Sequence, residues 1–207
     1  SLIDDKVSQL DRNQYEENPY PRWINTGLRD KPETISQVLK QCKLHLNFDV
    51  RQFSNKPDIL VAGCGTGQHA LSTASRFRNC NVLAIDLSLT SLSYAKRKTQ
   101  ELGIKNIEYM QGDILKLDQL KREFDIIECT GVLHHMDDPL AGWKVLIERL
   151  RANGIMKIGL YSQIARQSIA NARREIAKKK YTSSPDDIRR YREEIMNMDS
   201  KSNPETS

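Results

Sequence analysis

Three glycines at alternating positions, Gly63, Gly65 and Gly67, follow directly on the apolar run Ile59–Ala62 and open into a helix-like stretch from Gln68. Glycine admits backbone angles that other residues avoid, so the turn can bring main chain close to a ligand. The helix that follows offers unpaired N–H groups at its first turn. A strand, a glycine turn and a helix in that order is how an α/β fold opens a nucleotide site.

The chain downstream keeps the same rhythm. Gln68–Arg78 reads as a helix and Asn81–Asp86 as a second strand. Ser88 is placed to cap a helix that stops at Gly103, with Leu89, Leu92, Ala95 and Leu102 as its inner positions. Ile107–Met110 and Phe124–Cys129 read as the third and fourth strands. "DDPLAGWKVLIERLRANG" then predicts a helix capped by Asp138, with Pro139 at its first position, ending before Gly154. Gly154–Tyr161 completes a set of five strands. Strands separated by helices specify a Rossmann-like, doubly wound parallel sheet covered on both faces.

Three domains are expected: an N-terminal helical and roof-forming segment over residues 1–57, a core over 58–162, and a basic helical extension over 163–207. In the first, Lys31–Leu46 carries apolar residues at Ile35, Val38, Leu39, Cys42 and Leu46, with Pro32 near the first helical turn. "NPYP" (Asn18–Pro21) reads as a rigid turn packing Tyr20 and Trp23 onto the sheet; Tyr15, Tyr20 and Trp23 are also candidates for a roof over the ligand. In the extension, two helical stretches precede an end, "DSKSNPETS", expected to be disordered.

The net charge of +5 resides wholly in residues 151–207, which hold 12 basic and 7 acidic side chains, whereas residues 1–150 are balanced. A nucleic-acid contact would therefore have to use "ARREIAKKKY"; a solvated helix face is the favoured reading, because Glu175 and the Asp and Glu pairs beyond interrupt the basic run. No apolar run reaches the roughly 18 residues of a membrane span. Cys42, Cys64, Cys80 and Cys129 are scattered without metal-ligand spacing. A cytoplasmic protein with reduced thiols and no bound metal is the expectation.

The glycine spacing bears on the ligand. A dinucleotide fingerprint, G-x-G-x-x-G/A, would put its third small residue at position 68, which is Gln68. Asp86, at the end of the second strand, is placed to accept ribose hydroxyls of NAD or of S-adenosylmethionine alike. Gly112-Asp113-Ile114 after the third strand favours the second, because it sets another acid where an adenine amino group can donate. All these positions fall at strand C-termini, the edge where open parallel sheets bind ligands.

Taken together, "ILVAGCGTG", "VLAIDLS", "MQGDIL", "FDIIECTGVLHHMDDP" and "LRANGIMKIGLYS" resemble, in order, the motifs of the class I S-adenosylmethionine-dependent methyltransferases over residues 58–162. "YEENPYPRW" resembles the segment preceding the methyltransferase module of certain bacterial tetratricopeptide-repeat proteins. The resemblance implies S-adenosylmethionine as cofactor, with Gly63, Cys64, Gly65 and Gly67 around its methionine and ribose. It implies Asp86 on the ribose hydroxyls, Leu87 on the adenine, Asp113 and Ile114 at the adenine amino group and ring, and Cys129 and Thr130 facing the methionine. Two departures stand out. The family often has an acid two residues before the first glycine, where this chain has Val61, so the methionine ammonium lacks an indirect partner. The sixth and seventh strands of the family are also missing, so the chain is expected to be part of a longer chain or complex.

Methyl transfer from a sulfonium is an in-line displacement that needs alignment, a dry site and sometimes a base. His134 and His135, on the loop after the fourth strand, are the candidate bases, with an anchoring role for one of them as the alternative. A metal site among His134, His135, Asp137 and Asp138 is disfavoured, since adjacent side chains diverge. The acceptor is unidentified; by association with the repeat-containing relatives a protein side chain or a small molecule is favoured. A truncated, non-catalytic binding module and an NAD-dependent oxidoreductase are the alternatives.

Overall fold

A computed structural model describes residue 3 and residues 5–42, 53–162, 164–182 and 184–202. Contacts within the chain divide it into two compact units, residues 1–160 and residues 161–207.

The first unit is built on a five-stranded parallel sheet of order β3-β2-β1-β4-β5. β1 (Asp58–Ala62) lies at the centre, flanked by β2 (Asn81–Asp86) and β4 (Phe124–Thr130), with β3 (Ile107–Gln111) and β5 (Leu150–Gly159) at the edges. Residues 59–62 of β1 are all buried, as a strand covered on both faces requires. One face packs Ile59, Val61, Val82, Ala84 and Ile126 against α2 (Ile35–Gln41), α3 (Gln68–Arg76) and α4 (Leu89–Glu101). The other packs Leu60, Leu83, Ile85, Phe124 and Ile127 against the short helical turn Ile114–Gln119 and α5 (Pro139–Ile147). This is the doubly wound, Rossmann-like sheet with strand order reversing at β1. No helix among the described residues is long and apolar enough to cross a membrane.

The element boundaries depart from the sequence reading in five places. α1 (Lys6–Glu17) forms in the polar N-terminus, capped by Asp5, whose carboxylate accepts from Ser8 N at 2.8 Å. α2 starts after Thr34, not near Pro32, because Thr34 and Gln37 complete a reciprocal capping box; Leu46 lies outside the described residues. On α4 only Leu92 and Ala95 of the expected inner positions are buried; Leu89 and Leu102, at its two ends, are 55% and 42% exposed. α5 stops at Ile147 and β5 starts at Leu150, where Phe124 N donates to Arg149 O at 2.9 Å; the residues assigned to a longer helix instead pair with β4 through a register shift, with Asn153 at φ 63°. Pairing with a neighbouring strand has overridden local helical pattern.

The fifth departure is in the second unit. α6 (Gln167–Lys178) and α7 (Pro185–Ser202) make it up, and α7 runs into the segment expected to be disordered. The two helices meet through Tyr191 Oη donating to Ala172 O at 3.2 Å and through Glu194, which accepts from Lys179 Nζ at 2.5 Å and Tyr181 Oη at 2.7 Å.

Candidate functional site

Gly63, Gly65 and Gly67 have φ of 72°, 52° and 88°, the left-handed region that side chains disfavour. A Cβ would also overlap Val132 at Gly63, the Tyr20 carbonyl at Gly65 and Ala95 at Gly67. The loop is thus packed on three sides by the chain's own residues. Gly63 N and Cys64 N both donate to Ile85 O, at 2.9 Å each, which ties the turn to β2.

Asp86 closes β2 beside this loop. Its Oδ2 accepts from Gly65 N at 2.7 Å and its Oδ1 from Ser88 N at 3.0 Å. Burial raises its pKa, the amides of Ser88, Gly65 and Leu87 oppose that, and Glu16 nearby adds to the rise. Each carboxylate oxygen keeps acceptor capacity after these bonds. Leu87, next in the chain, is partly exposed, and its carbonyl accepts from Gln111 Nε2 at 2.9 Å.

Asp113 follows β3, on the strand neighbouring β2. Its Oδ1 caps the turn Ile114–Gln119 by accepting from Leu115 N at 2.9 Å. Its Oδ2 is buried and makes no hydrogen bond within the protein. Leaving a buried acceptor unmet costs about 1–3 kcal/mol. An adenine amino group is a donor of the kind this oxygen lacks, so the residues present fit an adenosyl ligand. Ile114 beside it is 5% exposed.

The end of β4 forms the other side. Cys129 is fully buried, and burial pushes its thiol up to about 12, which makes it a wall and not a nucleophile. Thr130 is exposed. His134 and His135 stand on the helical turn Leu133–His135 with ring centroids 4.2 Å apart; His135 is the more open of the two. Asp11 of α1 is close enough for His135 to lower its pKa, against a larger rise from burial.

The N-terminal segment crosses this edge. Glu16 accepts from Leu89 N at 2.7 Å and Thr90 N at 3.0 Å, and from the Thr90 hydroxyl, capping α4 from outside. Ser88 Oγ donates to Tyr15 O at 3.2 Å. Trp23 is buried, donates from Nε1 to Thr66 Oγ1 at 3.0 Å, and meets Tyr94 edge-on at 5.7 Å. Tyr20 behaves otherwise than a packed ring: its side chain is 64% exposed, and only its carbonyl engages the loop, accepting from Thr66 N at 3.2 Å. The segment is a cover in which Trp23 and main chain do the packing.

Glu16 and the buried Glu128 on β4 were missed from the sequence. Glu16 left no local signal, because its partners lie more than seventy positions away. Glu128 did leave one: an acid between Ile127 and Cys129 in a strand otherwise buried needs partners, and His69 and Arg76, seven apart on α3, share the face that provides them.

Comparison with known proteins identifies the core. Residues 59–154 match the family model described as a methyltransferase domain. The uncharacterized protein syc1184_c of Synechococcus is 37% identical over 123 residues, covering 59% of this chain and 30% of that protein. (S)-coclaurine N-methyltransferase of Papaver somniferum is 26% identical over 127 residues, covering 61% of this chain and 36% of that enzyme. Among solved structures, PKMT2 from Rickettsia typhi in complex with AdoHcy superposes with a TM-score of 0.60 at 23% identity, over 74% of this chain and 30% of that chain. The chain thus spans about a third of the length of these two relatives. With the sheet order, the glycine turn and the two acids at the ends of β2 and β3, these matches make the core similar to a methyltransferase domain over residues 59–154, just under half of the chain.

Proposed function

We propose that this chain transfers a methyl group from S-adenosylmethionine to a nucleophilic acceptor, and that its cofactor lies along the C-terminal edge of β1–β4. The observation that carries the reading is the buried, unmet Oδ2 of Asp113 beside Asp86 and the glycine loop. S-Adenosylmethionine supplies a methyl group activated by a positively charged sulfur. Asp113 and Ile114 would receive the adenine, Leu87 would cover it, and Asp86 would accept from the ribose while holding Gly65. Gly63, Cys64, Gly65 and Gly67 would line the ribose and methionine end, with Cys129 and Thr130 opposite. His134 and His135 are the candidates to take the acceptor's proton.

A protein side chain or a small molecule is the acceptor class we favour. The named relatives include N-methyltransferases and ubiquinone biosynthesis O-methyltransferases, and acids interrupt the basic run of the second unit. We place the chain in the cytoplasm on the strength of its free cysteines.

Calorimetric titration with S-adenosylhomocysteine, S-adenosylmethionine and NAD tests the cofactor, with Asp86→Ala alongside. Binding of the two adenosyl ligands, lost in the variant, is expected. A folded protein that binds neither would return the lead to a non-catalytic partner-binding module. For the histidines, His134→Ala and His135→Ala should lower kcat while leaving S-adenosylhomocysteine affinity within about twofold; a base of this kind contributes roughly 100- to 10,000-fold.

A further inference from the structure

α1 reaches from the loop beyond β4 to the loop beyond β2. In its last turn, Tyr15 O accepts from Ser88 Oγ at 3.2 Å, and Glu16 accepts from Leu89 N and Thr90 N at 2.7 and 3.0 Å. Earlier in the helix, burial raises the Asp11 carboxyl and His135, beyond β4, opposes the rise. β1 stands between β2 and β4, so a helix reaching from one to the other passes the glycine turn.

The two halves of this N-terminal segment are attached differently. After the helix, Tyr20 O and Pro21 O accept from the amide and hydroxyl of Thr66, at 3.2 and 2.6 Å, and Trp23 is buried. From Ile3 to Glu17, by contrast, Ile3 and Ser8 are the only buried residues among those described, and Leu10 is 61% exposed. A segment with so few buried contacts is among the first parts of a fold to open. Asn18 joins the two halves; it caps α1 with φ −130° and ψ 74°, outside the helical region.

The Glu16 carboxylate answers a specific need. The first amides of a helix have no acceptor within it, and α4 begins at Leu89. Ser88 Oγ accepts from Ser91 N at 3.0 Å; Leu89 N, Thr90 N and the Thr90 hydroxyl all donate to Glu16. Asp86, two residues before Ser88, feels the Glu16 charge. The grip therefore lies beside the acid placed to receive the ribose.

We propose that α1 is a lid over the cofactor cleft, that it swings at Asn18–Pro19, and that Glu16 is the latch holding it shut on the first turn of α4. The proposal rests on the S-adenosylmethionine reading above. Glu16 is a positioning residue that sets the rate of cofactor exchange. When the lid opens, the amides of Leu89 and Thr90 lose their only acceptor and meet water. A ligand enclosed beneath α1 shifts the equilibrium toward the shut state.

Stopped-flow binding of S-adenosylhomocysteine to wild type and to Glu16→Gln separates a latch from a plain helix cap. Glutamine keeps the size and one acceptor oxygen but loses the charge. Association and dissociation should both quicken about 10-fold, the difference between a charge-assisted and a neutral hydrogen bond. A variant whose association rate stays within about twofold of wild type overturns the proposal.

Amide hydrogen exchange of the wild type gives a second readout that needs no variant and stands if Glu16→Gln fails to fold. Leu92 N donates to Ser88 O within α4 at 3.1 Å and serves as the internal reference. S-Adenosylhomocysteine should slow exchange at Leu89 and Thr90 about 10-fold more than at Leu92; equal slowing at all three overturns the latch. Wild-type protein that does not bind S-adenosylhomocysteine overturns the cofactor reading, and the lid with it, before either comparison is made.

Discussion

Asp86 Oδ2 accepts a hydrogen bond from Gly65 N at 2.7 Å, so the acid at the end of β2 braces the glycine turn at the end of β1. The carboxylate that would receive the ribose thus also shapes the loop around it. Asp86→Ala is expected to abolish S-adenosylhomocysteine binding and to lower stability by about 1–3 kcal/mol, because Gly65 N and Ser88 N lose their acceptor. Titration and urea unfolding together check this; full stability with lost affinity would restrict Asp86 to the ligand.

Asp113 separates the two roles more cleanly. Asp113→Asn keeps an oxygen for Leu115 N but turns an amide donor toward the adenine site. Affinity for S-adenosylhomocysteine should fall about 10- to 100-fold while the melting temperature hardly moves. The discriminating ligand is S-inosylhomocysteine, with a carbonyl in place of the amino group, which the variant should bind better than the wild type does.

The cover over the loop depends on Trp23 and on a carbonyl, so Tyr20→Ala should change neither stability by more than about 0.5 kcal/mol nor cofactor affinity. Trp23→Phe removes the donor to Thr66 and should cost about 1 kcal/mol. Gly65→Ala should be far worse than either, since a methyl there meets the Tyr20 carbonyl at a positive φ. Thermal unfolding of the three variants ranks them.

Glu128 gives a pH signature. Its folded pKa of about 2 lies below the ordinary value of 4.5, so the group favours the folded state above pH 4.5. That contribution, about 3 kcal/mol, is lost as pH falls from 4.5 toward 2. Denaturant unfolding between pH 6 and pH 3 should show this loss in wild type and a flatter dependence in Glu128→Gln. Identical slopes would mean that Glu128 has no such depressed pKa.

The alternation of apolar runs with helical stretches was enough to specify five strands in a parallel, doubly wound sheet, because strands covered on both faces read as short continuous apolar segments such as Ile59–Ala62. Gly63, Gly65, Gly67, Asp86 and Asp113 were legible for a related reason: their types are set by backbone angle and by position at a strand end, both local properties. What local sequence could not carry was anything resting on partners distant in the chain. β5 begins at Leu150 because β4 offers Phe124 N to Arg149 O, α1 is held by Glu16 at the start of α4, and Tyr20 contributes a carbonyl where its ring was expected. Glu16 shows the limit most plainly. Read along the chain, it is one acid of a polar helix; read in the fold, it supplies the acceptors for Leu89 N and Thr90 N. Only the tertiary structure decides that, because the approach of α1 to α4 is fixed by the packing of whole elements and leaves no trace in the spacing of residues 73 apart.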